Sequence, residues 1–168
     1  MKRLLIALLI LFLLSGLVYF LILKNDSNNS GAQEDKVPEF MVKDVLGLTA
    51  PLSFFYEKKP VILVFFSPDC GYCDREISDL NKIHKNYKEK IYVIAVVSGK
   101  SSYDIKQYAM DKNINFVISS DQSSNIVKAY NISSLPSHII INKKGKIIKR
   151  KNGLVDFNIL KGLIKRFI

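Results

Sequence analysis

The chain has 168 residues, with 48% hydrophobic and 24% charged residues, the balance of a globular protein rather than a disordered one. Eight Gly and five Pro exclude a collagen-like or low-complexity chain, and two Cys exclude a multi-disulfide scaffold and a four-cysteine zinc site. The net charge of +10 comes mostly from Lys scattered along the chain; Arg, the preferred base reader, occurs only at positions 3, 75, 150 and 166, so no nucleic-acid partner is expected and anionic lipid headgroups suit this exterior equally well.

Lys2 and Arg3 precede an uncharged run from Leu4 to Leu23. As a helix rising about 1.5 Å per residue it spans about 30 Å, the thickness of a bilayer's hydrocarbon core. The run is longer than the apolar core of a secretory signal, and no Ala-x-Ala site follows it. No Cys lies near it for lipid attachment, and it is apolar all round, unlike a core helix. Residues 1–23 are therefore expected to form an uncleaved transmembrane signal-anchor that meets membrane lipid through residues 4–23. Lys2 and Arg3 favour a cytoplasmic N-terminus, with the rest of the chain outside. Residues 24–37, rich in Asn, Ser and Asp, are expected to be a flexible tether, and residues 38–168 the folded domain.

Within that domain, 39–44 and 46–55 are expected as strands around a turn at Gly47, an N-terminal β-hairpin extension. Val61 to Phe66 is a continuous apolar run with β-branched and aromatic residues, expected as a strand buried on both faces. A helix is expected over 71–87, with Cys73, Ile77, Leu80, His84 and Tyr87 on its inner stripe. Then follow a strand at 91–97, a helix at 101–112 capped by Ser101 or Ser102, and a strand at 115–119. Asp121 is expected to cap a helix running to Tyr130. Strands at 137–142 and 146–151 meet at the hairpin signal Lys143-Lys144-Gly145, and Asp156 caps a last helix carrying Phe157, Leu160, Ile164 and Phe167. This alternation predicts an α/β fold, a mixed β-sheet sandwiched by helices.

The chemistry is expected in Ser67-Pro68-Asp69-Cys70-Gly71-Tyr72-Cys73, where a buried strand gives way to a helix. A thiol there faces unpaired backbone N–H groups that favour the thiolate, and a second Cys three residues on is within disulfide reach. Cys70 is expected as the exposed nucleophile and Cys73, on the core-facing stripe, as the resolving thiol of a dithiol-disulfide exchange. No metal and no cofactor beyond this redox-active pair is expected. His84 and His138 lack finger spacing, and Asp74 replaces the His of a covalent haem motif. A purely structural disulfide would close too short a loop to stabilise much.

From Pro60 and its strand through Cys70-x-x-Cys73, Phe116-Val-Ile-Ser-Ser-Asp121, Ile132-Ser-Ser-Leu-Pro136 and Asn142-Lys-Lys-Gly-Lys146, the chain resembles the thioredoxin superfamily. Within it the chain is most similar to the membrane-anchored TlpA/ResA/CcmG-like thiol-disulfide oxidoreductases. The resemblance implies a thioredoxin-like fold. It implies that Pro136 is a cis-proline facing the cysteines, with the turn at Leu135-Pro136 offering backbone to a partner peptide; the residues alone allow an ordinary loop proline. It implies a proton relay at Glu76; by itself Glu76 reads as a solvated carboxylate paired with a Lys. Cytosolic thioredoxins bury an Asp where this chain has Val64. Asp69 stands where the common pattern has Trp, and its charge opposes thiolate formation at Cys70. Tyr72 is either an aromatic docking surface for substrate or a cover for Cys73. His138 reads as a strand residue without chemistry, and His84 as a hydrogen-bonded core histidine.

The activity expected is that of a protein-disulfide reductase tethered to the outer face of a bacterial cytoplasmic membrane. The family implies a protein disulfide substrate, for example apocytochrome c in cytochrome c maturation, and an electron donor of the CcdA/DsbD kind in the membrane. The alternatives are a disulfide-introducing oxidase or isomerase, a thiol peroxidase suggested by Ser67-x-x-Cys70, and a redox-sensitive binding module without turnover. Cys73 to Pro136 is too short a span for the helical insert of a DsbA-type oxidase, and Leu63 replaces the proline of the peroxidase pattern.

Overall fold

The computed structural model describes residues 12–20, 36–45 and 47–167. The chain divides into Met1–Asp35 and Lys36–Ile168. In the first unit, residues 12–20 are helical with exposed side chains. No helix among the described residues is long and apolar enough to cross a membrane. The rest of the expected anchor, 1–11 and 21–23, and the tether up to residue 35 lie outside the described residues.

The second unit runs β1 (Met41–Lys43), β2 (Thr49–Pro51), α1 (Leu52–Tyr56), β3 (Val61–Phe66), α2 (Cys73–Tyr87), β4 (Tyr92–Ser98), α3 (Ser102–Asp111), β5 (Val117–Asp121), α4 (Asn125–Ala129), β6 (Ser137–Ile141), β7 (Ile147–Asn152) and α5 (Phe157–Ile164). Five strands form one sheet in the order β5-β4-β3-β6-β7. The pairs β3–β4 and β4–β5 are parallel, whereas β3–β6 and β6–β7 are antiparallel. This is the mixed sheet that the alternating pattern predicts.

All six residues of β3 are buried, as their unbroken apolar run requires of a strand with helices on both sides. Ile62, Val64 and Phe66 face the layer made by α2, α3 and α5. Val61, Leu63 and Phe65 face the opposite layer, with Val42 and Ala50 of the hairpin, Leu52 and Phe55 of α1, and Tyr130. The hairpin β1–β2 extends the β5 edge. Ile118 N–H donates to Asp44 Oδ1 at 3.1 Å, and Val45 N–H to the Ile118 carbonyl at 3.0 Å. Lys36 and Val37, assigned by composition to the tether, are seated on the sheet: Lys36 bridges Lys146, and Val37 N–H donates to the Gly145 carbonyl at 2.9 Å.

Several boundaries differ from the sequence reading. The expected strand over 46–55 is strand only at β2; Leu52–Tyr56 is a helix, because Leu52, Phe55 and Tyr56 are spaced to bury one helical face. The Glu39 carboxylate accepts the Ser53 N–H at 3.0 Å and serves that helix as a remote cap. β5 starts two residues later than expected, since Asn81 of α2 occupies the backbone ahead of it, donating to Asn113 O and accepting from Asn115 N–H, both at 3.1 Å. Asp121 lies in β5 and Ser124 is the N-cap of α4; Asp121 still accepts the Val127 N–H at 2.9 Å. His84 is half-buried, its Nδ1 has no hydrogen-bond partner among the described residues, and burial holds its pKa below the usual histidine value.

Tyr130, 1% exposed, ties the start of the folded unit to the sheet by donating its hydroxyl to the Pro38 carbonyl at 2.6 Å. Tyr130→Phe keeps the ring and orphans that carbonyl. We expect it to lower stability by about 1–2 kcal/mol, read as a lower urea midpoint with an unchanged slope; an unchanged midpoint would contradict this role.

Candidate active site

The chain leaves β3 at Phe66 and turns sharply into α2. Cys70 N–H donates to Ser67 O at 3.0 Å, and Cys73 N–H donates to Cys70 O at 2.9 Å. The turn places Cys70 half-buried ahead of the helix, and Cys73 as the first helical residue, 1% exposed and within the α2-side core. Both are free thiols. Burial first, then the Cys70 sulfur and the nearby charge of Glu76, push the Cys73 thiol up to about 12.

Facing them is the turn before β6. The Leu135–Pro136 peptide bond is cis, Pro136 is buried, and the Cys70 sulfur lies 4.0 Å from the Leu135 carbonyl oxygen. Tyr72 is the N-cap of α2; it is 65% exposed with the Arg75 guanidinium over its ring, so it projects to solvent and does not cover Cys73. Asp69 is exposed and pairs with Lys100 Nζ at 2.9 Å, which offsets its field at Cys70.

Glu76 is the largest departure from the plain reading of the residues. It is 2% exposed, with no Lys beside it. Its Oε1 accepts the Val155 N–H at 3.3 Å and lies 2.6 Å from His138 Nε2. His138, read from the sequence as a strand residue without chemistry, is buried under the active-site helix, its Nδ1 3.3 Å from the Lys151 carbonyl. Strand register explains the meeting: His138 pairs with Val64 across the β3–β6 ladder and so shares the face that α2 covers. The available signal was a His and a Glu both on faces that had to be buried, and buried ionisable groups require partners.

A second missed contact fastens the start of α2 to α3. Asp74 accepts the Tyr108 hydroxyl and the Lys112 ammonium, each at 2.6 Å. Lys112, then Tyr108, hold the Asp74 carboxyl below the usual range, while burial and Asp74 raise Tyr108. Among the described residues no cluster of His, Cys, Asp and Glu could hold a metal ion.

The arrangement can run thiol-disulfide exchange: one reachable sulfur, one protonated sulfur behind it, and an acid-base group next to the second. At neutral pH Cys73 therefore carries far less thiolate than an ordinary cysteine. Iodoacetamide at pH 8 is therefore expected to modify Cys70 alone in the folded reduced chain, and both thiols after unfolding; equal modification when folded would contradict the geometry. The folded state binds the Cys73 proton more tightly than the unfolded chain does. Its stabilisation is therefore complete below about pH 9 and lost as pH rises towards 12.

The AhpC/TSA family model matches residues 34–150. The thiol-disulfide oxidoreductase ResA of Bacillus cereus is 30% identical over 155 residues, covering 90% of this chain and 89% of that one. Among solved structures, the exposed lipoprotein thioredoxin of Streptococcus pneumoniae is 26% identical with a TM-score of 0.69, covering 77% of this chain and 99% of that one. A putative thiol:disulfide interchange protein DsbE of Chlorobium tepidum shares the fold at 22% identity and a TM-score of 0.72, covering 79% of this chain and 95% of that one.

Proposed function

The chain belongs to the AhpC/TSA family, and within it to the ResA-type thiol-disulfide oxidoreductases, and we propose that it is a membrane-tethered reductase of protein disulfides outside the cytoplasm. The observation that carries this reading is the pairing of a half-buried Cys70, its sulfur turned to the Leu135 carbonyl, with a buried, protonated Cys73 directly behind it.

Cys70 attacks one sulfur of the partner's disulfide, forming a mixed disulfide and releasing the partner's other sulfur as a thiolate. Cys73 then gives its proton to Glu76 and attacks the Cys70 sulfur. The Cys70–Cys73 bond forms, the bond to the partner breaks, and the partner leaves with both electrons and takes up protons from water. The backbone at Leu135-Pro136 lies beside the attacked bond, where an extended partner segment pairs with it. Tyr72, exposed one residue before the helix, offers that segment an aromatic surface.

The uncharged run over residues 4–23 anchors the domain, and residues 24–35 let it reach its partners from the membrane. An apocytochrome c disulfide is a fitting substrate, and a CcdA/DsbD-like membrane dithiol is a fitting electron source. Against a DsbA-type oxidase, the span from Cys73 to Pro136 holds, beyond α2, only β4, α3, β5 and α4, with no helical domain inserted.

The test is a trap. Cys73→Ser, mixed with a disulfide-containing apocytochrome peptide, is expected to accumulate a one-to-one adduct through Cys70 that dithiothreitol reverses. Cys70→Ser is expected to form none and to lose about 10³-fold or more of turnover. The full chain should stay with membranes after an alkaline wash, while a chain starting at residue 24 should not. No adduct with Cys73→Ser, or release of the full chain by the wash, would sink the corresponding half of the reading.

A further inference from the structure

We infer that His138 is the positioning partner of Glu76, holding its carboxylate where it takes the proton of Cys73. The inference deepens the proposed exchange reaction and rests on it.

The contact is closed off from water. The two side chains are 1% and 2% exposed, and an isolated charge on either would be strongly unfavourable there. At 2.6 Å the carboxylate oxygen and the ring nitrogen are in direct contact. The approach is off the axis of the ring N–H, so Nε2 makes no aligned hydrogen bond and the contact rests on charge and proximity. The other ring nitrogen, Nδ1, can only donate to the Lys151 carbonyl, which accepts; this fixes the tautomer and the ring orientation.

Among the described residues both contacts made by Glu76 fall on Oε1, from His138 and from Val155 N–H, which leaves the second carboxylate oxygen unengaged. Cys73 is one helical turn earlier on the same buried stripe, and feels the charge of Glu76. In the resolving step the S–H bond of Cys73 breaks and its proton moves to that second oxygen. The electron pair left on sulfur forms the bond to Cys70, and the Cys70–partner bond breaks with its pair leaving on the partner. The proton taken up by Glu76 passes to water once the partner has gone.

The neighbouring ionisable groups are otherwise engaged or directed elsewhere. On α2, Asp74 is bound by Tyr108 and Lys112 from α3, and Asp79 accepts the Phe157 N–H at the start of α5. Asp156 caps α5 through Ile159 N–H, and on β7 Lys151 meets the ring through its carbonyl, its side chain being exposed. Cys70 and Cys73 remain as the groups that the pair serves.

The full chain in detergent micelles, reduced and mixed with 5,5′-dithiobis(2-nitrobenzoate), separates the two steps. Attack by Cys70 releases one thionitrobenzoate and resolution by Cys73 the second. For His138→Asn, which cannot reach Glu76, the ratio of second-phase to first-phase rate is expected to fall about 10²-fold at pH 7, the low end of what a positioned base contributes. The deficit should shrink as pH rises to 9.5. His138→Gln, whose amide reaches Oε1, should recover part of the loss, and His138→Asn should add nothing in a Glu76→Gln chain. A wild-type pH profile in both His138 variants, or losses that multiply in the double variant, would overturn the inference. Should the Asn variant fail to fold, the Gln variant alone must still show the pH-dependent deficit. If the wild-type chain itself releases only one thionitrobenzoate, the exchange mechanism fails rather than the role of His138.

Discussion

The ladder between β3 and β6 sets the positions of every group at the site. β3 is buried on both faces and hydrogen-bonded on both edges, so it has no freedom to slide. A slip of one residue would exchange its two apolar faces and turn His138 away from α2. With Val64 opposite His138, the end of β3 delivers the cysteine turn and the start of β6 delivers the cis peptide to the same end of the sheet. The reactive sulfur, the carbonyl facing it and the buried imidazole are consequences of one register.

Two cysteines three residues apart acquire opposite properties from this placement. Cys70 sits in the turn before the helix, half-exposed beside Leu135. Cys73 sits inside the first helical turn, among Ile77, Leu80 and Phe66, where burial keeps its proton on. In the proposed reaction the difference sets the order of events, since the sulfur that can be reached reacts first and the buried sulfur waits for a base. Glu76 is that base in the proposed reaction. A carboxylate this deeply buried needs a counterpart, and the fold provides one from β6, a strand far from it in sequence.

The parts legible in the sequence were those encoded locally. The continuous apolar run at Val61–Phe66, the Cys70-x-x-Cys73 turn, the Ser101 and Asp156 caps and the Lys143-Lys144-Gly145 hairpin each carry their signal within a few residues. The parts that escaped depend on pairings between distant segments. The Asn81 contacts that delay β5, the Asp74–Tyr108 link and the His138–Glu76 pair all join elements whose relative register no local pattern states. Leu52–Tyr56 escaped for a different reason, since Leu52, Phe54, Phe55 and Tyr56 after a proline satisfy a strand and a helical turn alike until the packing face is known. Val64 had been noted for the acidic group missing there; the ionisable group on that face comes instead from its cross-strand neighbour.

The central claim is that this dithiol is built to give electrons away, and its reduction potential tests that most directly. The full chain would be equilibrated in graded dithiol buffers at pH 7 and its free thiols counted at each point. A midpoint near that of thioredoxin, about −270 mV, is the predicted result and fits a reductase recharged across the membrane. A midpoint near that of DsbA, about −120 mV, would contradict the account and make the chain a disulfide-introducing oxidase.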